Sequence, residues 1–294
     1  MGRKSRLIPY VLKIIGEYEI RLTIRQIFYR LVSAGIIRNT RSAYNSLDKV
    51  ISEARKKGII PFEAIIDRSR NFIGGDTPYY LTPERYFKGL IGKLETAYLD
   101  YDIPFWLNQP IYIEVWLEKD ALTGFFKQIT DKYNVVLAPC RGYPSLTFLY
   151  EGAKRLSRIS KPKLILYFGD YDMRGLDIQR HITETLENFG LTNFQVKRIA
   201  LTREQIEAYQ LPPNPAKSKD TMFRGWIERH GNVAWELDAL EPKVLMTLIE
   251  NAILQNIDKP TLNQRNSLLE QNRLRLKSMI ENLLQKLNSE GDSK

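Results

Sequence analysis

Hydrophobic residues in the first part of the chain recur with the period of an α-helix. This pattern predicts three helices, at residues 5–19, 23–35 and 40–57. The second helix begins with a capping-box sequence, in which Thr23 is the N-cap and Gln26 is the third helical residue. Gly58 is placed to end the third helix, because glycine readily adopts the left-handed conformation found after helices.

An apolar stretch at residues 59–66, with the polar and basic residues 67–70 behind it, follows the third helix. We interpret this stretch as an extended wing. Three short helices and a basic wing predict a winged-helix domain, a variant of the helix-turn-helix, whose third helix enters a DNA groove.

Further along, apolar strand patterns alternate with helix patterns. Strands are predicted at residues 110–117, 134–138 and 163–168, and helices at residues 83–98, 121–131 and 146–159. The third strand is continuously apolar, as strands buried on both faces of a parallel sheet are. The sequence therefore predicts an α/β fold with a parallel sheet, in which ligands bind at the carboxyl ends of the strands.

Three acidic residues occur at those strand ends. Glu118 ends the first strand, and Asp170 and Asp172 follow the third. Converging carboxylates suit a hard cation such as Mg²⁺. The alternative is that Asp-x-Asp before glycine is an ordinary turn sequence. Glu118 at an equivalent strand end favours the metal site.

A second candidate group lies on the second predicted helix. Tyr29 is about 140° around the helix from Ile24, away from the apolar stripe that begins there, and Arg25 is four residues before it on the same side. A phenol can attack a DNA phosphodiester, and a guanidinium can stabilise the charge that develops on phosphorus. The alternative is a packing role, since the chain has sixteen tyrosines.

The chain of 294 residues has a net charge of +10, and this charge is unevenly distributed. The first 75 residues contain fifteen basic and six acidic side chains. A solvated face explains any single basic run, but a whole segment this biased favours binding to the phosphate backbone of DNA. One cysteine and two histidines exclude an intramolecular disulfide and a zinc-finger spacing.

Several motifs together resemble a known family. Glu118-Lys119 after one strand and Asp170-x-Asp172-x-x-Gly175 after another are similar to the Toprim domain of topoisomerases, primases and nucleases. The Arg-Gly-Tyr-Pro loop at residues 141–144 and the runs at residues 197–202, 211–217 and 235–240 resemble the A subunit of topoisomerase VI. Residues 25–29 resemble the tyrosine motif that this subunit shares with the meiotic double-strand-break protein.

This resemblance, over residues 23–253, implies a specific chemistry. Tyr29 would attack DNA and form a 5′-phosphotyrosyl link, with Arg25 beside the phosphate. Glu118, Asp170 and Asp172 would hold Mg²⁺, and Glu118 would also act in catalysis. The family's active site combines the tyrosine of one protomer with the carboxylates of the other. A homodimer that binds double-stranded DNA is therefore implied.

Departures from the family pattern indicate a reduced member. Only 28 residues precede Tyr29, so we expect the extension that contacts the ATPase B subunit to be absent. The chain also contains no Gly-x-x-x-x-Gly-Lys-[Ser/Thr] motif, and Gln26 stands where the family usually has Asp. The chain thus resembles the shortened, stand-alone members called Mini-A, and a separate B-like ATPase subunit is a candidate partner.

The predicted organisation has four parts: a winged-helix domain (1–75), a linker with a connecting helix (76–108), a Toprim domain (109–260), and a C-terminal amphipathic helix with its tail (261–294). The C-terminal helix could pack on its own Toprim domain or pair with a second copy. No apolar run is long enough to span a membrane. We expect a cytoplasmic, nucleoid-associated protein of a prokaryote, with a mobile element as a plausible origin.

Three functions remain open from the sequence. The first is a type IIB topoisomerase-like, Mg²⁺-dependent tyrosine transesterase without its own ATPase. The second is a Toprim hydrolase in which the carboxylates activate water and Tyr29 only packs. The third is a DNA-binding or DNA-bridging dimer that does not cut. Glu236 and Asp238 are expected in the core, with an outer-shell role near the metal as the alternative.

Overall fold

A computed structural model describes residues 5–18, 21–65, 82–216 and 223–291. The chain forms two compact units. The first combines Met1–Arg70 with Ile111–Asn256, and the second combines Asn71–Pro110 with Ile257–Lys294. The predicted winged-helix and Toprim segments therefore lie largely in one unit.

The elements of the described residues are as follows. The helices are α1 (Ile8–Gly16), α2 (Ile24–Ser33), α3 (Arg41–Lys56), α4 (Pro83–Asp100), α5 (Thr123–Lys132), α6 (Leu146–Leu156), α7 (Met173–Asn188), α8 (Arg203–Ala208), α9 (Phe223–His230), α10 (Pro242–Leu254) and α11 (Lys259–Gly291). The strands are β1 (Tyr112–Leu117), β2 (Val136–Pro139), β3 (Lys163–Phe168), β4 (Phe194–Ala200), β5 (Asn214–Pro215) and β6 (Val233–Ala234).

The three predicted N-terminal helices are confirmed as α1, α2 and α3. Thr23 and Gln26 make both hydrogen bonds of the capping box at the start of α2. Thr40 caps α3, and Gly58 follows that helix with a φ of +69°. The capping residues could be recognised from the sequence because each cap involves residues no more than three positions apart.

The prediction of an extended wing at residues 59–66 is wrong where it is described. Phe62–Ala64 is a short 3₁₀ helix, and the one ladder contact there is an isolated bridge between Leu22 and Ile65. The Arg55 guanidinium donates to the Phe62 carbonyl and lies 4.6 Å from the centre of its ring. These contacts turn the segment back onto α3. The predicted basic residues 67–70 lie outside the described residues.

The central sheet confirms the predicted parallel α/β architecture. Its four strands have the order β2-β1-β3-β4 and all pair in parallel. Leu117 and Phe168 are register partners at the ends of β1 and β3. The carboxyl ends of these two strands are therefore level with each other, which places Glu118 next to the loop after β3.

A buried apolar cluster forms the core on one side of the sheet. Trp116, Ile165 and Tyr167 contribute from the strands, while Leu149 from α6 and Ile182 from α7 pack against them. Each of these side chains is almost fully buried. A core of this kind fixes the strands, and so it fixes where their carboxyl ends lie.

The second unit pairs α4 with α11. The predicted connecting helix is confirmed as α4, and the predicted C-terminal helix as α11. Arg265 of α11 donates to the carbonyl of Ile103, and Gln109 exchanges two hydrogen bonds with the backbone of Asp258. The sequence predicted both helices but not that they would be partners.

Candidate active site

The structure places Glu118 and Asp170 side by side at the strand ends. The Glu118 carboxylate accepts a hydrogen bond of 2.9 Å from the backbone N–H of Asp170 and one of 3.4 Å from the Tyr167 hydroxyl. A Cβ on Gly169 would lie 2.6 Å from the same carboxylate oxygen. A glycine is therefore required for the loop to approach Glu118 this closely.

Asp172 has a structural role as well as a position in the candidate site. Its carboxylate caps α7 by accepting the N–H of Gly175 at 2.6 Å. The interpretation of Asp-x-Asp-x-x-Gly as turn chemistry is thus correct for this side chain. This capping role does not exclude a metal site, because Asp172 is also close enough to Glu118 to raise its pKa.

Arg198 on β4 holds the loop between β3 and α7 in place. Its guanidinium donates to the carbonyls of Gly169 and Asp170 at 3.2 Å each, and also to the carbonyl of Gly175. It also lies 5.1 Å from the centre of the Tyr167 ring. Arg198 lies in the run at residues 197–202 that resembles the family, but this role could not be predicted, since its partners are backbone atoms from another strand end.

Five charged side chains form what we call the ion-pair network: Arg25, Lys119, Asp170, Glu236 and Asp238. The Lys119 ammonium lies 3.1 Å from Asp170, 2.8 Å from Glu236 and 2.6 Å from Asp238. Arg25 of α2 pairs with Glu236 and, at 3.2 Å, with Asp238. The network therefore connects the tyrosine helix with the acidic strand end.

Tyr29 is buried, with 1% of its surface exposed. It lies off the apolar stripe of α2, and segments from later in the same chain cover this side of the helix. The Asn214 amide donates to the phenol oxygen at 2.7 Å, and the Arg25 guanidinium lies 5.9 Å from the ring centre. Nearby, Arg30 donates to the carbonyl of Ala239.

The electrostatics of the site differ between its two ends. Burial raises the pKa of Asp170 to about 7, and the Glu118 carboxylate adds to this effect while Lys119 opposes it. Burial and Asp172 likewise raise the pKa of Glu118. Burial also disfavours ionised Glu236, but Lys119 and Arg25 outweigh it and lower the pKa of Glu236 to about 2. The ionised form is therefore disfavoured for the carboxylates at the strand ends and favoured for Glu236.

The pKa of Tyr29 is raised to about 12, first by burial and then by the Asp238 and Glu236 carboxylates. The phenol is therefore protonated at neutral pH. Because the Asn214 amide is the donor in their hydrogen bond, the phenolic hydrogen is not used in that contact.

The carboxylates fit Mg²⁺ by their chemistry. Oxygen donors are the ligands that this cation prefers. Burial, with a smaller effect of neighbouring carboxylates, raises the pKa values of Glu118 and Asp170, and a bound cation would favour their ionised forms. As placed in the structure, however, no three His, Cys, Asp or Glu side chains among the described residues are gathered as a metal centre.

A pH-dependent test follows from the raised pKa of Asp170. An acid whose pKa is higher in the folded than in the unfolded protein costs stability as it ionises, so this cost grows from about pH 4 to about pH 7. In chelator-containing buffer, Asp170→Asn is therefore expected to melt at a higher temperature than wild type at pH 8. The two proteins should converge near pH 4.

Asp131→Asn is the matched control for this experiment. Asp131 is an exposed carboxylate paired with Lys127, and its loss should change the melting temperature little at either pH. Equal melting temperatures of wild type and Asp170→Asn at pH 8 would show that Asp170 is not destabilised by its surroundings.

Comparison with known proteins adds no family to this geometry. No protein-family model matches the chain, and no curated protein matches it either. Within the part of the chain that is described, no helix is both long enough and apolar enough to cross a membrane. Functional assignment therefore depends on the motifs and on the contacts of the side chains.

Proposed function

We propose that the chain binds double-stranded DNA and cleaves it as a Mg²⁺-dependent tyrosine transesterase, similar to the A subunit of topoisomerase VI. One observation carries the proposal. The ion-pair network joins Arg25, one helical turn before Tyr29, to Lys119 and Asp170 at the strand ends. The nucleophile and the carboxylates that the reaction needs thus belong to one neighbourhood.

In the proposed reaction, the Tyr29 oxygen attacks the phosphorus of a DNA phosphodiester. A bond forms between this oxygen and phosphorus, and the bond from phosphorus to the 3′-oxygen breaks. The products are a 5′-phosphotyrosyl link and a 3′-hydroxyl, which receives the phenolic proton in the overall balance. The Arg25 guanidinium lies 5.9 Å from the centre of the Tyr29 ring and would stabilise the charge on the phosphate oxygens.

Glu118, Asp170 and Asp172 would hold the Mg²⁺. When bound, the cation would supply positive charge to the phosphate that is attacked. Two residues of the chain position the carboxylates for this role. Arg198 fixes the loop that carries Asp170, and Gly169 lets that loop approach Glu118.

DNA binding is supported by the N-terminal helices. α3 exposes Arg41, Asn45 and Lys49 along one side, as expected of a helix that contacts a DNA groove. The excess of basic residues in this part of the chain would strengthen contacts to phosphates. A homodimer, a separate ATPase partner and a nucleoid-associated location in a prokaryote belong to the same proposal. Within it, the tyrosine and the carboxylates of each site come from one chain, not from two protomers as the family resemblance implied.

The burial of Tyr29 favours a second candidate function. A phenol with 1% of its surface exposed cannot reach DNA unless the contacts of α2 with later parts of the chain open. A protein that keeps these contacts closed would bind or bridge DNA without cutting it. The metal-dependent hydrolase is the other outcome that the experiment distinguishes.

The test is to trap the reaction. Supercoiled and end-labelled DNA are incubated with the protein and Mg²⁺ or Mn²⁺, stopped with detergent, and analysed with and without protease. We expect a protease-sensitive DNA shift with wild type and none with Tyr29→Phe. Tyr44→Phe is the matched control, since Tyr44 also lies against Arg25 and the change likewise removes one hydroxyl.

The other outcomes would reject the proposal in different ways. Cleavage that survives Tyr29→Phe and leaves free ends would identify a hydrolase. Tight binding without any cleavage by wild type would identify a DNA-binding protein.

A further inference from the structure

We propose that Lys119 is a positioning residue that sets the placement of the tyrosine helix α2 through the carboxylates it shares with Arg25. This inference rests on the proposed function, because it concerns how Tyr29 and Arg25 are held for reaction. It goes beyond that function by assigning a role to a side chain that touches neither the phenol nor the phosphate.

The first basis is the geometry of Lys119 itself. It follows Glu118 directly at the end of β1, and 19% of its side chain is exposed. An ammonium has three N–H donors, and three carboxylates lie within 3.1 Å of this one. It donates hydrogen bonds to Glu236 and Asp238 and forms an ion pair with Asp170. Asp238, the closest, has only 2% of its side chain exposed.

The second basis is the way its partners are shared. Glu236 and Asp238, which bind Lys119, are also the two residues that bind Arg25 on α2. Without the ammonium, these two carboxylates and Asp170 would face each other with one cation fewer. Like charges at such short distances repel each other, so the carboxylates would move apart and their ion pairs with Arg25 would change.

The third basis is that α2 has few other polar attachments on this side. Tyr29 accepts a hydrogen bond from Asn214, and Arg30 donates to the carbonyl of Ala239. Ala239 is next to Asp238 in sequence, so a displaced Asp238 would disturb this contact too. Lys119 therefore acts on α2 through Glu236 and Asp238.

The experiment measures amide hydrogen exchange by mass spectrometry in the full chain without DNA. In Lys119→Met, the amides of Ile24–Ser33 are expected to exchange about tenfold faster than in wild type. Loss of a buried ion-pair partner lowers the free energy that local unfolding of this helix requires. Amides of α6, which carries no member of the ion-pair network, should keep their wild-type rates. Lys119→Arg retains the charge and should restore most of the protection.

Lys132→Met is the matched control. Lys132 also forms an ion pair, with Glu250, but on the surface, and its replacement should leave the exchange of α2 unchanged. If α2 exchanges at the wild-type rate in folded Lys119→Met, the proposal is wrong. An increase that Lys119→Arg does not reduce would equally reject it, since the charge would then not be the cause.

A charge-balanced variant covers the case in which Lys119→Met does not fold. Lys119→Met with Asp170→Asn removes one cation and one anion, so no additional buried charge is left unpaired, and it keeps both carboxylates that bind Arg25. Faster exchange confined to α2 is again expected, and wild-type exchange would overturn the proposal. Failure of wild type to form a covalent DNA complex would reject the proposed function alone, because the exchange experiment uses no DNA.

Discussion

Replacing Arg155 by methionine is expected to lower the free energy of unfolding by about 3 kcal/mol, because it leaves a buried carboxylate without its cation. Glu114 on the central strand β1 has no exposed surface. Arg155 of α6 binds both of its oxygens, one at 2.8 Å, and the Trp116 indole N–H donates to the second oxygen at 2.9 Å. The Trp116 indole and the Tyr112 hydroxyl, which also hydrogen-bonds Glu114, are neutral and cannot balance the charge.

Urea denaturation at neutral pH measures this effect, with Arg203→Met as the control. Arg203 forms a pair of the same type with Glu207, at 2.8 Å, but on the exposed surface of α8. Its replacement should leave the denaturation midpoint almost unchanged. A midpoint for Arg155→Met close to that of Arg203→Met would mean that the β1 carboxylate does not need its partner. In that case the alignment of β1, and of Glu118 at its end, would have another origin.

A methyl group at Gly175 is expected to displace the loop that carries Asp170. The Cβ of an alanine would lie 2.2 Å from the Asp170 carbonyl oxygen, a backbone atom that cannot move alone. Gly175 is also the residue whose N–H is capped by Asp172 and whose carbonyl accepts from Arg198. We expect Gly175→Ala to cost about 2–3 kcal/mol of stability, since overpacking of this kind strains the surrounding backbone.

Gly92→Ala is the control, and it is expected to have the opposite effect on stability. Gly92 is also helical, but nothing lies within 4 Å of the position of its Cβ. Alanine favours a helix by about 0.5–1 kcal/mol over glycine, so this change should stabilise. Thermal denaturation of the two variants compares them directly. A Gly175→Ala protein as stable as wild type would show that the loop after β3 is free to shift.

Much of the fold was predictable because its signals are local. The capping box of Thr23 and Gln26 marked the start of α2, and the continuous apolar run of β3 marked a buried parallel strand. The level strand ends followed from the parallel sheet, which is why Glu118 and Asp170 were expected near each other. Hydrophobic period and caps are sufficient for features of this type.

The covering of Tyr29 was not predictable in this way. Helical periodicity identifies the apolar face of α2, but it does not reveal that Asn214, almost two hundred residues later, covers another face. The ion-pair network was equally unpredictable, since Arg25 and Glu236 are brought together only by the tertiary structure. The 3₁₀ turn at Phe62 also depended on a contact with Arg55 that the apolar pattern could not indicate.

The second unit is formed by two segments that are far apart in sequence, and this has a consequence for biosynthesis. Its two helices are separated in sequence by residues 101–258, so α4 leaves the ribosome long before α11 exists. At 5–20 residues per second, this interval lasts roughly 8–30 s. During that time α4 lacks α11, the helix that completes its unit. The second unit can therefore fold only after the first unit's segments have been synthesised.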